Sequence, residues 1–378
     1  MKISAVFLSL ASLAVGSEAF AQPLLPSIEE IAKKWQSRTE RATRLHVSWT
    51  ARRTIPKGEF DLAVQMNGGD PKKGPFPPND AIVDEESDFL LSGSRFRLDT
   101  SAFEWSVKEN KLGRLSTTVT SDGTKETYYI RSTTNSSHGT ATVRDPAKGE
   151  QSASLRAVAL VPVLMCWRGA DHSFCTRNLH DYEVTRMLTY NGLPCVELVR
   201  ASRSRNIRDI VWLGTTIDFM PVQISTIEDG VTLVKIDVKH TLASSKPATM
   251  TGWQTTLQTK SKRLVESTSC TITRFDLTSE IEDSQFDVKL APGTRLVKGT
   301  RSGESQSVIK ADGQPGREVA VRDGERIPSY EELVEASNKP KVFVVAQYWP
   351  WLAAVFAATL MFFFVRQRIR RSSAIRNS

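Results

Sequence analysis

The 378-residue chain lacks the short signatures of common catalysts. There is no G-x-S-x-G elbow to lift a serine above a sheet. No G-x-x-x-x-G-K-[ST] loop is present to cradle phosphates, and no H-E-x-x-H pair to hold zinc. Histidine is scarce at five residues. His46 and His240 fall in apolar, β-branched runs where core or surface roles outrank base catalysis. Acid pairs such as Glu85-Glu86 and Glu282-Asp283 sit in polar stretches and read as solvated. No repeat of fixed period occurs. Nothing calls for a cofactor or a metal, and the chain reads as a non-enzyme.

A strong charge bias is also missing from the bulk of the chain. The formal net charge is +8, but five of those charges are Arg366, Arg368, Arg370, Arg371 and Arg376, and one is Lys2. The remainder, about +2, gives no field that demands nucleic acid. The four cysteines are Cys166, Cys175, Cys195 and Cys270. Cys166, His172, Cys175 and His180 have zinc-compatible chemistry, but C-x5-H-x2-C-x4-H matches no standard structural zinc spacing. Disulfides are the preferred fate in an oxidising compartment. Three connectivities are open. We favour Cys166–Cys175 with Cys195–Cys270, which closes one local loop and one cross-strand link.

Two apolar stretches set the expected location. Residues 1–21, with Lys2, a short apolar core and Ala19-Phe20-Ala21, read as a signal peptide cleaved before Gln22. Between Val342 and Val365 the one strongly polar side chain is Gln347. That run is about 36 Å long as a helix, against a hydrocarbon core of about 30 Å. Tyr348, Trp349 and Trp351 suit a membrane interface, and the arginines that follow suit a cytoplasmic tail at 366–378. The expectation is a single-pass cell-membrane protein with its 22–298 domain exported.

Within that domain, "PSIEEIAKKWQSRTERATRLHVSW" starts with a capping box, Ser27 and Glu30. Ile28, Ile31, Trp35, Ala42 and Leu45 follow at helical spacing. Strand-like segments come next, among them "LHVSWTARRT", "DFLLSGSRFRLDTS" and "GRLSTTVTSDGTKETYYIRST". Residues 56–81 read as a long Gly/Pro-rich loop. "SASLRAVALVPVLMCWRG" interrupts the strands as buried helical turns bent at Pro162, either plain core or a lid. A second strand series includes "YEVTRMLTYNGLPCVELVRA", a hairpin turning at Asn191-Gly192. Short connections imply antiparallel order. The fold class expected is α+β, a large curved antiparallel sheet with an N-terminal amphipathic helix and inserted lid helices, plus one C-terminal transmembrane helix. Residues 299–341 are linker-like in composition, with a short helix near 329–338 where Ser329 and Glu332 repeat the capping box. Arg200, Arg203, Arg205 and Arg208 read as a solvated strand edge or as an anionic-surface contact.

The closing segment "FDVKLAPGTRLV", with Phe286, Pro292, Gly293 and Val297, and the middle strands "YEVTRMLTYNGLPCVELVRA" and "VWLGTTIDFMPVQI" resemble the periplasmic lipoprotein-carrier superfamily of LolA, LolB and RseB type. The resemblance covers about residues 27–297. It implies an open half-barrel with a helical lid over an apolar cavity for acyl chains. The expected function is then non-catalytic binding of a hydrophobic or lipidated ligand by a membrane-anchored envelope protein. Trp35, Trp49, Trp105, Leu164 and Trp167 are the candidate lining residues. Two alternatives stand beside it: an envelope sensor or scaffold that binds a protein partner, and an enzyme without a recognisable motif.

Overall fold

The computed structural model describes residues 25–59, 74, 76–106, 109, 111–133, 138–145, 159–171, 178–201, 206–241, 248–300, 303–322 and 324–338. The first element is helix α1, Ile28–Arg41. Its start follows the capping box: the Ser27 hydroxyl accepts from the Glu30 N–H at 3.1 Å. Its buried residues are Ile31, Trp35 and Arg38, one stripe at helical spacing.

Six strands follow: β1 (Arg44–Ile55), β2 (Ala81–Ser92), β3 (Arg95–Ser106), β4 (Lys111–Ser121), β5 (Glu126–Ser132) and β6 (Thr140–Arg144). In β1, Leu45, Val47, Trp49 and Ala51 are buried while the residues between them are more exposed, so one face of the sheet carries the core. Helix α2, Val161–Trp167, interrupts the strands with Pro162 in its first turn, where no amide is needed. The second series is β7 (Glu183–Tyr190), β8 (Leu193–Ala201), β9 (Ile207–Gly214), β10 (Met220–Glu228), β11 (Val231–Thr241), β12 (Thr249–Gln258) and β13 (Leu264–Asp276). Asn191 and Gly192 both take positive φ, 49° and 78°, and close the β7–β8 hairpin as the sequence predicts.

All these strands lie in one sixteen-stranded sheet with β7 at one edge. β13 pairs with β1 and joins the two series. The far edge is built by β14 (Arg295–Thr300), β15 (Gly303–Val308) and β16 (Val319–Val321). β14 runs parallel to β6, and the other pairings are antiparallel. Helix α3, Tyr330–Asn338, buries Leu333, and its Tyr330 hydroxyl donates to Gly293 O at 2.9 Å.

Several expectations are corrected here. Among the described residues the fold is mostly sheet with three helices, rather than α+β with a membrane span. No helix among them is long and apolar enough to cross a membrane, so the expected single-pass cell-membrane placement, and the membrane as a partner through that helix, find no spanning helix among the described residues. The run at 342–365 and the tail at 366–378 lie outside the described residues, as does the segment at 1–21. In the stretch 299–341, α3 lies where the short helix near 329–338 was expected, and β15 and β16 stand where a linker was expected. The stretch's Gly, Ser and Gln content hides strands held by main-chain pairing, β15 to β14 and β16 to β15, with Gln306, Ser307 and Val308 buried.

One glycine is dictated by strand packing. A Cβ on Gly252 of β12 would sit 2.2 Å from the Cys270 carbonyl oxygen of β13. We expect Gly252→Ala to cost about 1–3 kcal/mol, as overpacking does. Gly299→Ala, where an added Cβ meets nothing within 4 Å, should stay within about 0.5 kcal/mol of the parent. Thermal melts of the two variants check this, and equal melting temperatures would contradict it.

Candidate functional site

The core face of the sheet carries one large cluster that runs from Phe89 and Phe96 through Val47, Trp49 and Trp253 to Leu213 and Val196. α1 and α2 pack onto it. Four of the five expected lining residues, Trp35, Trp49, Leu164 and Trp167, meet in this cluster. Trp105 does not. It pairs with Phe76 in a separate small cluster, ring centroids 5.6 Å apart. Trp253, which sequence reasoning passed over, packs on Trp49 at 5.4 Å, and Trp167 packs on Phe275 at 4.7 Å.

The two helices are held by arginines. Arg38 is 1 % exposed. Its Nε donates to Cys166 O at 2.8 Å, and its Nη groups donate to Asp218 O and Phe219 O. Burial lowers its pKa to about 10, still a cation at neutral pH. The Cys166 carbonyl belongs to the last turn of α2, where carbonyls lack helical partners and a positive charge is favoured. Arg168, just past α2, returns the contact: its Nη1 donates to Ala42 O, past the end of α1, at 3.0 Å. Its Nη2 also pairs with Asp171. Each helix therefore has a carbonyl at its C-terminal end capped by the other helix's arginine.

The third partner is the turn between β9 and β10. Asp218 and Phe219 are successive non-glycine residues at φ 56° and 55°. Such residues cost about 1–3 kcal/mol each and persist where the surroundings over-determine them. Here the left-handed pair aims two carbonyls at α1. Trp35 Nε1 donates to Phe219 O at 2.9 Å, alongside Arg38. Gly169 lets the Trp35 ring lie against the chain after α2, since a Cβ there would come within 2.6 Å of it.

Burial pushes the Cys166 thiol up to about 12, far from a reactive thiolate. Burial also lowers the His240 pKa, and its Nε2 lies 2.8 Å from Pro221 O. Trp167 Nε1 and Trp253 Nε1 are buried with no hydrogen-bond partner among the described residues.

The remaining expected residues are dispersed. Cys166, Cys195 and Cys270 are buried free thiols. Cys195 on β8 and Cys270 on β13 are separated by four intervening strands, so the Cys195–Cys270 pairing does not form. Cys166 Sγ instead lies 3.8 Å from Met250 Sδ, and Cys175 is outside the described residues, as are His172, Arg203 and Arg205. No group of three or more potential metal-ligating side chains occurs among the described residues. Arg200 pairs with Asp209 and lies over the Tyr182 ring. Arg208 pairs in register with Ala201, one residue out of phase with Arg200, and so faces the other side of the sheet. Arg200 and Arg208, the two described arginines of the four, do not form one patch. Arg38 and Arg168 were missed. The available signal was Arg38 itself, an arginine on the apolar stripe three residues after Trp35.

No family model and no curated protein matches the sequence. Among solved structures, the chain is similar to a LolA superfamily protein from Nitrosomonas europaea, with 13 % identity, 67 % of this chain and 97 % of that one covered, and a TM-score of 0.35. It is similar to a DUF1329 family protein from Desulfovibrio piger, with 8 % identity, 69 % and 97 % covered, and a TM-score of 0.34. The MucA/MucB complex of Pseudomonas aeruginosa gives 11 % identity, 75 % and 76 % covered, and a TM-score of 0.16. The first of these belongs to the superfamily that the sequence resembles. At these TM-scores the likeness carries neither a role nor a ligand to this chain.

Removing the latch should expose what it covers. Arg38→Met strips donors from three carbonyls and should destabilise by about 3 kcal/mol. At pH 8, well below the Cys166 thiol's pKa of about 12, wild-type Cys166 should resist iodoacetamide, and the variant should label faster. Mass spectrometry of the Cys166 peptide reads this out, and equal labelling would contradict the latch.

Proposed function

We propose that this protein is a non-catalytic binding protein that takes an apolar or lipidated ligand onto the helix-bearing face of its sheet, beneath α1 and α2. The observation that carries the reading is the pair of buried, unpartnered indole N–H groups, Trp167 Nε1 and Trp253 Nε1, inside the large apolar cluster. A buried donor without an acceptor costs about 1–3 kcal/mol. An acylated ligand supplies what the face lacks: ester or amide oxygens for the indoles, and chain for the surrounding Trp, Leu and Met surface. Each buried CH₂ contributes about 0.8 kcal/mol.

The cover suits exchange. α1 and α2 are tied by hydrogen bonds to main-chain carbonyls, which water can replace as the helices lift. The Cys166 thiol is too weak an acid to act as a nucleophile near neutrality, which favours holding a ligand over transforming it.

Native mass spectrometry of the gently purified full chain tests the proposal. A mass excess that extracts into organic solvent and fragments as lipid is the expected result. Trp167→Phe and Trp253→Phe should each reduce occupancy about tenfold, one hydrogen bond's worth, without lowering the melting temperature of the ligand-free protein by a comparable amount. A bare mass from every preparation would sink the reading and favour a protein partner instead.

A further inference from the structure

The sheet face opposite the helices carries a row of side chains set by strand register. Arg186 on β7 pairs with Glu197 on β8, Glu197 with Trp212 on β9, Trp212 with Gln223 on β10, Gln223 with Asp237 on β11, and Asp237 with Gln254 on β12. Six adjacent strands thus each contribute one planar side chain to a line across the sheet. Strand neighbours are about 4.8 Å apart, so hydrogen-bonding groups recur at that interval.

The row is held in place. Arg186 donates to both oxygens of Glu197 at 3.0 Å. Trp212 Nε1 donates to Glu197 Oε2 at 3.0 Å. Gln223 Nε2 and the Tyr190 hydroxyl donate to Asp237 Oδ1 at 3.0 and 2.6 Å. The Tyr190 and Trp212 rings meet edge to face at 5.1 Å. Burial pushes the Glu197 and Asp237 carboxyls up. Hydrogen bonds from Arg186, Trp212 and Thr185 to the first, and from Tyr190, Lys235 and Gln223 to the second, outweigh burial and hold both below the usual carboxylate range. Both therefore stay as anionic acceptors through neutral pH.

The row continues through Ser269 of β13 to Arg52 of β1. Two residues from Arg52 on the same face, Thr50 lines an open trough of about 450 Å³ with Glu86, Asp88, Asp99, Ser101 and Ser116. Glu197 and Gln223 lie buried beneath the row, so row and trough together offer the half-buried Tyr190, Trp212 and Asp237, the exposed Gln254, and the carboxylates and hydroxyls of the trough.

We propose that this face binds a neutral, polyhydroxylated chain, a glycan, laid across the strands. Three features select that chemistry. Charges along the row cancel locally, Arg186 against Glu197 and Lys235 against Asp237, so there is no field to gather a polyanion. Planar carboxylates and amides held in fixed orientation, Asp237 and Gln254 among them, can accept from and donate to hydroxyls without the entropy of arranging them on binding. Trp212 and Tyr190 give a half-open aromatic surface for the C–H face of a sugar ring. The site is independent of the helix-bearing face.

Affinity electrophoresis of the full chain through gels containing hydroxyethylcellulose, glycol chitin or, as the polyanion, heparin tests this. Retardation by at least one neutral polymer is expected, with Trp212→Ala binding at least about tenfold more weakly. Arg186 is largely exposed, 65 % for its side chain, so Arg186→Ala provides a variant that folds even if Trp212→Ala does not. It should weaken retardation several-fold, with a modest fall in melting temperature as the buried Glu197 carboxylate loses two of its donors. Retardation by heparin alone, by none of the three, or equally for wild type and both variants would overturn the proposal. In that case the row acts only as cross-strand pairing. Lipid content measured on the same variants should match wild type, so failure here and failure of the lipid reading remain separate results.

Discussion

A guanidinium buried against main-chain carbonyls organises the helix-bearing side of the molecule. Arg38 is 1 % exposed, and its hydrogen bonds go to Cys166 O, Asp218 O and Phe219 O. A buried cation is tolerable only where its donors are filled. Three elements distant in sequence must therefore be correctly placed at once: the last turn of α1, the end of α2, and a left-handed turn between β9 and β10. Each has its own reason to need the arginine. The α2 terminus has an orphan carbonyl, and the turn holds two residues at positive φ. The charge and the strained turn thus stabilise one another, and neither is favourable alone.

The sheet supplies the frame that makes this possible and divides the chemistry by face. Strand periodicity places Val47, Trp49 and Ala51 on one side and Ser48, Thr50 and Arg52 on the other. The apolar side receives the helices. The opposite side collects hydrogen-bonding groups into rows, because register aligns one residue per strand. Trp212 and Trp253 illustrate the division. Trp253, on the apolar side, has its indole N–H buried without a partner among the described residues. Trp212, on the polar side, donates to a carboxylate fixed by an arginine.

Local signals in the sequence were legible where one or two residues decide the outcome. The Ser27 cap of α1, the Asn191-Gly192 turn and the helix after Ser329 all lie where their residues point. Four of five candidate lining residues cluster, because apolar residues in strands and an amphipathic helix have one place to go. What failed depended on pairing between distant segments. Cys195 and Cys270 look like partners by count, but strand order keeps them apart. Arg200 and Arg208 look like one patch, but strand alternation points them to opposite faces. Residues 303–321 have a linker's composition, yet add strands because β14 leaves an edge open beside β6. The latch was illegible for the same reason: its acceptors are carbonyls, which carry no mark in the sequence.

That last point bears on how a binding face of this kind can change its sequence and keep its mechanism. The Arg38 contacts read backbone position, so they do not themselves specify the side chains at 166, 218 and 219; those answer to the core around Cys166 and Phe219 and to the Lys34–Asp218 ion pair. The arginine and the glycine at 169 are not free to vary. One supplies the donors, and the other admits the Trp35 ring within 2.6 Å of where its Cβ would stand. A latch built on carbonyls also releases without leaving a stranded charge on its partners. When α1 and α2 part, water satisfies the carbonyls, and the guanidinium is hydrated as a free cation. An arginine–carboxylate pair would lose a stronger, directional contact on opening. The energy of the contact is thus kept modest while its geometry is kept specific.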